Sequence, residues 1–210
     1  MTDRPEAPRR RMRNARWTDA DLVALDFETT GLDPARDEIV SFGTVPVRGG
    51  RIQMSSSDYR LTRPDVPPSP VSVTIHGLRT QDLAAAPALA ETRLALANAL
   101  RGRFLLTWFA PVENGFLRAI FGGTRRTWER RNIDVRLLAI GAADDPEDTA
   151  RWSLSTAARV HGVPVVDAHH ALDDALVTAQ LFLVLATKRA VNGPARVADL
   201  LRAPEARTDR

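Results

Sequence analysis

The stretch Leu22-Val23-Ala24-Leu25-Asp26-Phe27-Glu28-Thr29-Thr30-Gly31-Leu32 decides the fold. Its apolar start predicts a buried strand over Leu22–Phe27. Thr29 to Pro34 predicts the turn that follows. Side chains alternate along a strand, so Asp26 and Glu28 point to one face and Phe27 to the other. The two carboxylates therefore share the strand's C-terminal end, the edge where α/β sheets bind ligands. Carboxylates this close repel unless a cation lies between them. Oxygen donors of this kind suit Mg²⁺ or Mn²⁺. Taken alone, the pair reads better as two solvated charges at a strand end.

Working outward, Ile39–Val47 predicts a second strand, Gly49-Gly50 a hairpin turn and Arg51–Leu61 a third strand. Pro64, Pro67, Pro68 and Pro70 predict an extended loop leading to Ile75-His76-Gly77. A helix is expected over Pro87–Leu100, with Leu89, Leu94, Leu96 and Leu100 as its apolar face, and a fourth strand over Phe104–Trp108. Further helices are expected over Glu113–Phe121, Asp134–Ile140, Ser153–His161 and Ala171–Arg189, with a short one over Pro194–Leu201. An antiparallel meander followed by alternating helix and strand predicts an α/β layered domain with a mixed sheet.

Composition narrows the function. The 210 residues, 44% apolar and 26% charged, suit one soluble globular domain. With no cysteine, disulfides, thiolate metal sites and a cysteine nucleophile are excluded, which fits a cytoplasmic address. No apolar run approaches the length of a membrane span, and no apolar segment follows the basic N-terminus as in a secretory signal. Lys188 is the only lysine, and an arginine bias of this kind follows from GC-rich coding. The net charge is +3; residues 1–16 carry six arginines against Asp3 and Glu6, or +4, leaving about −1 for the rest. Residues 1–18 are expected as a flexible basic leader, 19–190 as the domain and 191–210 as a short helical tail, frayed from Ala203. Either tail is a candidate contact for a protein partner. No phosphate-binding Gly-x4-Gly-Lys loop and no Gly-x-Ser-x-Gly nucleophile elbow occur.

The second chemical segment is His169-His170-Ala171-Leu172-Asp173-Asp174-Ala175. Asp173 and Asp174 fall in the first turn of the long helix, where negative charge favours the helix dipole.

Together the segments resemble a known family. Asp26-Phe27-Glu28-Thr29-Thr30-Gly31-Leu32 is similar to the first motif of the DEDDh 3′→5′ exonucleases, which include the epsilon proofreading subunit of DNA polymerase III. His169-x4-Asp174-Ala175, followed by Thr178-Ala179, resembles the third motif; His170 would need its acid at 175, which is Ala. His76-Gly77 resembles the family's His-Gly segment. The second motif departs. Where the family has His-Asn-x-x-Phe-Asp-x-x-Phe-Leu, this chain has Trp108-Phe109-Ala110-Pro111-Val112-Glu113-Asn114-Gly115-Phe116-Leu117. Glu113 keeps the charge on a longer arm, while Trp108 and Phe109 replace the polar pair. Glu113 also suits a first helical turn after Pro111, and Trp108 and Phe109 read either as core or as platforms for a base.

The resemblance implies a ribonuclease H-like fold with a mixed five-stranded sheet flanked by helices. It implies two Mg²⁺ or Mn²⁺ ions, Asp26 as bridging ligand, Glu28 and Asp174 completing the first site and Glu113 helping to hold the second. His169 would be the general base. Thr29, Thr30 and Gly31 would meet the terminal nucleotide, with His76, Trp108 and Phe109 near the 3′ end of a single strand of DNA or RNA. Arg118, Arg125, Arg126, Arg130 and Arg131 are a candidate basic surface for that strand, or a solvated face. Two other readings stand beside this one: a catalytically degenerate nucleic-acid-binding module, and a polymerase-associated proofreading subunit. The short stretch after Arg189 favours a stand-alone nuclease over the tethered subunit.

Overall fold

The computed structural model describes residues 4–143, 152–165, 169–190, 193 and 195–202. Its sheet has six strands: β1 (Leu22–Thr29), β2 (Ile39–Arg48), β3 (Arg51–Ile52), β4 (Asp58–Leu61), β5 (Phe104–Thr107) and β6 (Asn132–Asp134). The order is β3-β2-β1-β5-β6, with β4 also on β2. β1 runs antiparallel to β2 and parallel to β5, and β6 is parallel to β5. The layered α/β fold and mixed sheet are as expected, with one strand more than the five anticipated. β6 falls where a loop and helix start were expected.

The third expected strand is interrupted. β3 and β4 flank a 3₁₀ turn at Met54–Ser56. The cause is Pro46. Its carbonyl accepts from Gln53 N at 2.8 Å, so its missing N–H falls on the same edge of β2. The ladder lacks a donor there, and the neighbouring chain bulges away.

The helices are α1 (Pro70–His76), α2 (Thr80–Leu83), α3 (Leu89–Leu100), α4 (Ala110–Phe121), α5 (Arg125–Glu129), α6 (Val135–Ile140), α7 (Leu154–Val160), α8 (Ala171–Arg189) and α9 (Val197–Leu200). α1 replaces the extended loop expected around His76. Ser69 caps it by accepting from Ser72 N, Pro70 opens it and Gly77, at φ 74°, ends it. On α3, Leu96 and Leu100 are buried but Leu94 is exposed, against expectation.

β1 separates two cores. Leu22 and Ala24 pack with α8 residues such as Leu181, Phe182 and Leu185. Val23, Leu25 and Phe27 pack with Leu96, Leu100, Phe116 and Leu117 of α3 and α4. Each fully buried Leu or Phe contributes about 1.5–3 kcal/mol. Packing therefore fixes α8, whose N-cap, His170, makes no side-chain capping bond.

Residues 4–19 do not behave as a loose leader. Pro5 is buried, Glu6 O accepts from Gly102 N at 2.9 Å, and Val197 N donates to Ala15 O at 3.1 Å. Trp17 is buried edge-on against Phe182, with ring centroids 5.5 Å apart. Residues 1–3, 191, 192, 194 and the tail from Ala203 lie outside the described residues.

Candidate active site

The β1–β5 ladder ends at Ala24 and Leu106, while the β1–β2 ladder continues to Thr29. The last residues of β1 therefore face an opening between an antiparallel and a parallel neighbour, and this opening receives the acidic groups. A register shift between Glu28 and Thr29 turns the chain out of the sheet there, as bulges beside active sites often do.

Asp26, Glu28 and Asp174 offer carboxylate oxygens that all lie within 4.8 Å of one another. Asp174 reaches β1 because of Gly43, the residue that pairs with Asp26. A Cβ on Gly43 would stand 2.2 Å from the Ala171 carbonyl oxygen, so only glycine lets the first turn of α8 settle onto the sheet.

Glu113 approaches from α4. It is 5% exposed, and its Oε2 has no hydrogen-bond partner. Two polar devices hold α4 in place. Asp134 accepts from Ala110 N and Leu137 N, each at 3.0 Å, and so caps both α4 and α6. Behind it, Thr107 Oγ1 donates to Asn132 Oδ1 at 3.1 Å, and Asn132 Nδ2 donates to Asn114 Oδ1 at 2.9 Å.

The carboxylates are strained electrostatically. Burial, then Glu113, Glu28 and Asp174, hold Asp26 well above the ordinary carboxylate range. Burial and then Asp174 push Glu28 up to about 8. Burial also pushes Glu113 to about 8, with Asp134 adding to it. Asp174 is raised by burial despite the His169 N–H it accepts. Four acids that repel one another, one with an orphaned buried oxygen, form a donor set that fits hard divalent cations.

The profile of the exonuclease family RNase_T matches residues 23–182, which include all four carboxylates and His169. The chain belongs to this exonuclease family. The DNA polymerase III PolC-type protein of Thermotoga maritima is 34% identical over 166 residues, 79% of this chain and 12% of that protein. A DNA polymerase III subunit epsilon-like protein of Rhodobacter capsulatus is 31% identical over 170 residues, 78% of this chain and 23% of that protein. The chain thus spans from about an eighth to just under a quarter of the length of these relatives. Among solved structures, the zinc-bound E. coli ExoI–ssDNA complex matches with a TM-score of 0.69 and 18% identity, over 82% of this chain and 42% of that one. Exonuclease X in complex with 5′ overhanging duplex DNA matches with a TM-score of 0.64 and 21% identity, over 86% and 99% of the two chains. At these identities the structural likeness is one of fold.

The fold brings together Asp26, Glu28 and Asp174, with Glu113 near enough to raise Asp26. His169 stands beside them on the exposed segment before α8, and its backbone N–H donates to Asp174 Oδ2 at 3.0 Å. The side chains of Thr29 and Thr30 turn inward. Thr29 Oγ1 donates to Gly31 O at 2.6 Å, and Thr30 Oγ1 to Asp37 Oδ1 at 3.2 Å. A Cβ on Gly31 would lie 2.4 Å from Asp37 Oδ2, so the Asp37 carboxylate that Thr30 and Asp33 hold would have to shift. His76 accepts from Leu78 N at Nδ1 (3.1 Å), which leaves the proton on Nε2 to be donated to Thr29 O at 3.2 Å. Burial, the largest influence, lowers its pKa and favours this neutral ring.

Trp108 is half-buried against the α8 core, whereas Phe109 is 42% exposed beneath the Arg136 guanidinium. The five-arginine surface does not hold together. Arg131 is buried, and Arg118 and Arg125 line a cleft of about 730 Å³ along α4 that also contains Glu129 and Asp134. Sequence reasoning missed Asp134, whose cue was its place as an N-cap before Val135, and Gly43, which carries no local signal. It also missed the exposed apolar residues Leu32, Val71 and Ile75, carried on the turn after β1 and on α1.

Proposed function

We propose that this domain removes nucleotides from the 3′ end of single-stranded nucleic acid, with two Mg²⁺ or Mn²⁺ ions held by its four carboxylates. The observation that carries the reading is the carboxylate cluster itself, together with the unpartnered Glu113 oxygen beside it. The 3′→5′ direction has further support in relatives named as 3′-5′ exonuclease DinG, such as that of Staphylococcus haemolyticus, 25% identical over 161 residues.

Asp26, Glu28 and Asp174 would hold one ion, and Asp26 with Glu113 the other. Bound there, divalent cations supply an acidified water and neutralise charge building on the phosphoryl and leaving oxygens. The chain's own residues do the rest. His169, exposed beside Asp174, takes a proton from the attacking water. The inward threonine side chains stiffen the turn at Thr29–Gly31, so that its backbone rather than its hydroxyls meets the terminal nucleotide. Leu32 and Ile75 give the terminal base an apolar surface. His76 acts one step removed, pinning α1 to the end of β1.

A second reading is a nucleic-acid-binding module without turnover. What favours it is Trp108-Phe109 at the position of the family's polar pair. A denaturing-gel time course separates the two. It uses 5′-labelled single-stranded DNA and the matching RNA, with Mg²⁺, Mn²⁺ or EDTA, and wild type beside Asp26→Ala. The expected result is a metal-dependent ladder shortening from the 3′ end and absent in the variant. Intact strands under every metal, from folded protein, would hand the lead to the binding module.

A further inference from the structure

Asp26, Gly43 and Tyr59 form one row across β1, β2 and β4. Residues paired across strands share a face, so Asp26 and Tyr59 stand on either side of a gap where Gly43 has no side chain. The start of α8 fills that gap, in contact with Gly43 at Ala171. Asp174 leaves it toward Asp26, and His170 leaves it toward Tyr59. The His170 and Tyr59 rings lie 4.3 Å apart between centroids, inclined by 32°. On its other side, His170 Nδ1 lies 3.0 Å from Asp173 Oδ2 without hydrogen-bonding to it, so the Tyr59 ring is the contact that holds it.

The neighbour of this stacked ring is His169, which has a φ of 67°. It is the one non-glycine residue at positive φ among those described. For an L-residue that conformation is strained, so the surroundings must hold it. Two holds are visible: the His169 N–H on Asp174 Oδ2, and the clamped ring of the next residue. Loss of the clamp lets the backbone relax toward negative φ and so moves the His169 side chain relative to Asp174, which the His169 N–H holds.

We propose that Tyr59 and His170, stacked on each other, are positioning residues that set the placement of His169. This rests on the reading of His169 as the general base. It gives a role to a histidine that the motif spacing leaves unassigned, and to a tyrosine outside every motif.

The test compares wild type with Tyr59→Ala, Tyr59→Leu, Tyr59→Phe, His170→Ala, His169→Ala and the double variant Tyr59→Ala/His169→Ala. Each is measured for kcat and KM on a single-stranded oligonucleotide and for Mn²⁺ binding by calorimetry. Circular dichroism selects the folded variants, with Tyr59→Leu and His170→Ala standing in where Tyr59→Ala does not fold. Removing the stack should lower kcat about 10- to 100-fold, the scale of a displaced catalytic group, with KM and the Mn²⁺ Kd unchanged. Tyr59→Phe, which keeps the ring, should restore most of the rate. On the His169→Ala background, Tyr59→Ala should cost nothing more, since residues acting through one group are not additive. Wild-type kcat in folded Tyr59→Ala or Tyr59→Leu, or a full multiplicative loss in the double variant, overturns the pair. An unimpaired His169→Ala would instead remove the general-base reading and the pair with it. The two failures are therefore distinguishable.

Discussion

The parallel strands of this sheet bury charge at both ends, and they manage it differently. At the entry to β6, the Arg131 guanidinium is 3% exposed and donates to three carbonyls, those of Pro5, Leu100 and Arg103. It also lies over the Trp128 ring, 5.5 Å from the centroid. Burial lowers its pKa only to about 10, so it stays charged at neutral pH. At the other end, past the last β1–β5 pair, like charges crowd with too few donors among them. The first end is a charge whose two terminal nitrogens are met by neutral acceptors drawn from distant parts of the chain, with Nε alone left unpartnered. The second is repulsion held in place by the fold. Natural sites of the second kind give up stability for function, and that difference is measurable.

The largest effect is expected for Asp26→Asn, which should abolish hydrolysis while the metal-free melting temperature holds or rises. One kcal/mol corresponds to about 2–4 °C in a chain of this size. A substantial drop in melting temperature would mean that the cluster is structural, and the contrast between the two ends would fail. Gly43→Ala tests how the acidic end is assembled. Its Cβ must displace the start of α8, so a loss of about 3 kcal/mol is expected from overpacking. A Mn²⁺ affinity far below wild type should accompany it. Arg131→Met should cost about 2–4 kcal/mol by urea denaturation, because three buried carbonyls lose their donor. Its specific activity at low temperature should match wild type; an inactive but stable protein would invert the comparison.

The smallest effect is one of pH. Glu28 and Glu113 lie near 8 in the folded protein, above their ordinary value of 4.5. The folded state therefore binds more protons than the unfolded chain between those limits. Metal-free stability from these groups is full below about pH 4.5 and is lost as the pH rises toward 8. Divalent ions replace those protons, so Mn²⁺ should raise the melting temperature more at pH 8 than at pH 5.5. Equal increments at both pH values would show that the ion does not bind at these carboxylates.

Much of this was legible in the sequence, and the misses have physical causes. Asp26 and Glu28 were readable because strand alternation puts them on one face, and Asp174 because a spaced motif names it. β6 was not, since Asn132-Ile133-Asp134 is too short and polar to show a strand period. α1 was hidden among prolines, although Ser69-Pro70 is a helix-start signal that the proline count obscured. The N-terminal segment reads as solvated because its arginines dominate, but Pro5 and Trp17 anchor it. Arg131 reads like its exposed neighbours because sequence shows charge, not the carbonyls that receive it. Gly43 is the hardest case: its role depends on a helix more than a hundred residues away.

The break at Pro46 has a consequence beyond the sheet's own geometry. β2 is ten residues long, yet the strands on its outer side are two and four residues, and β6 at the opposite edge has three. Unpaired strand edges are templates for aggregation, and short or bulged borders are a common way to blunt them. A chain that must keep a central strand long enough to carry two of its acids thus ends in rims too brief to recruit a neighbour's strand.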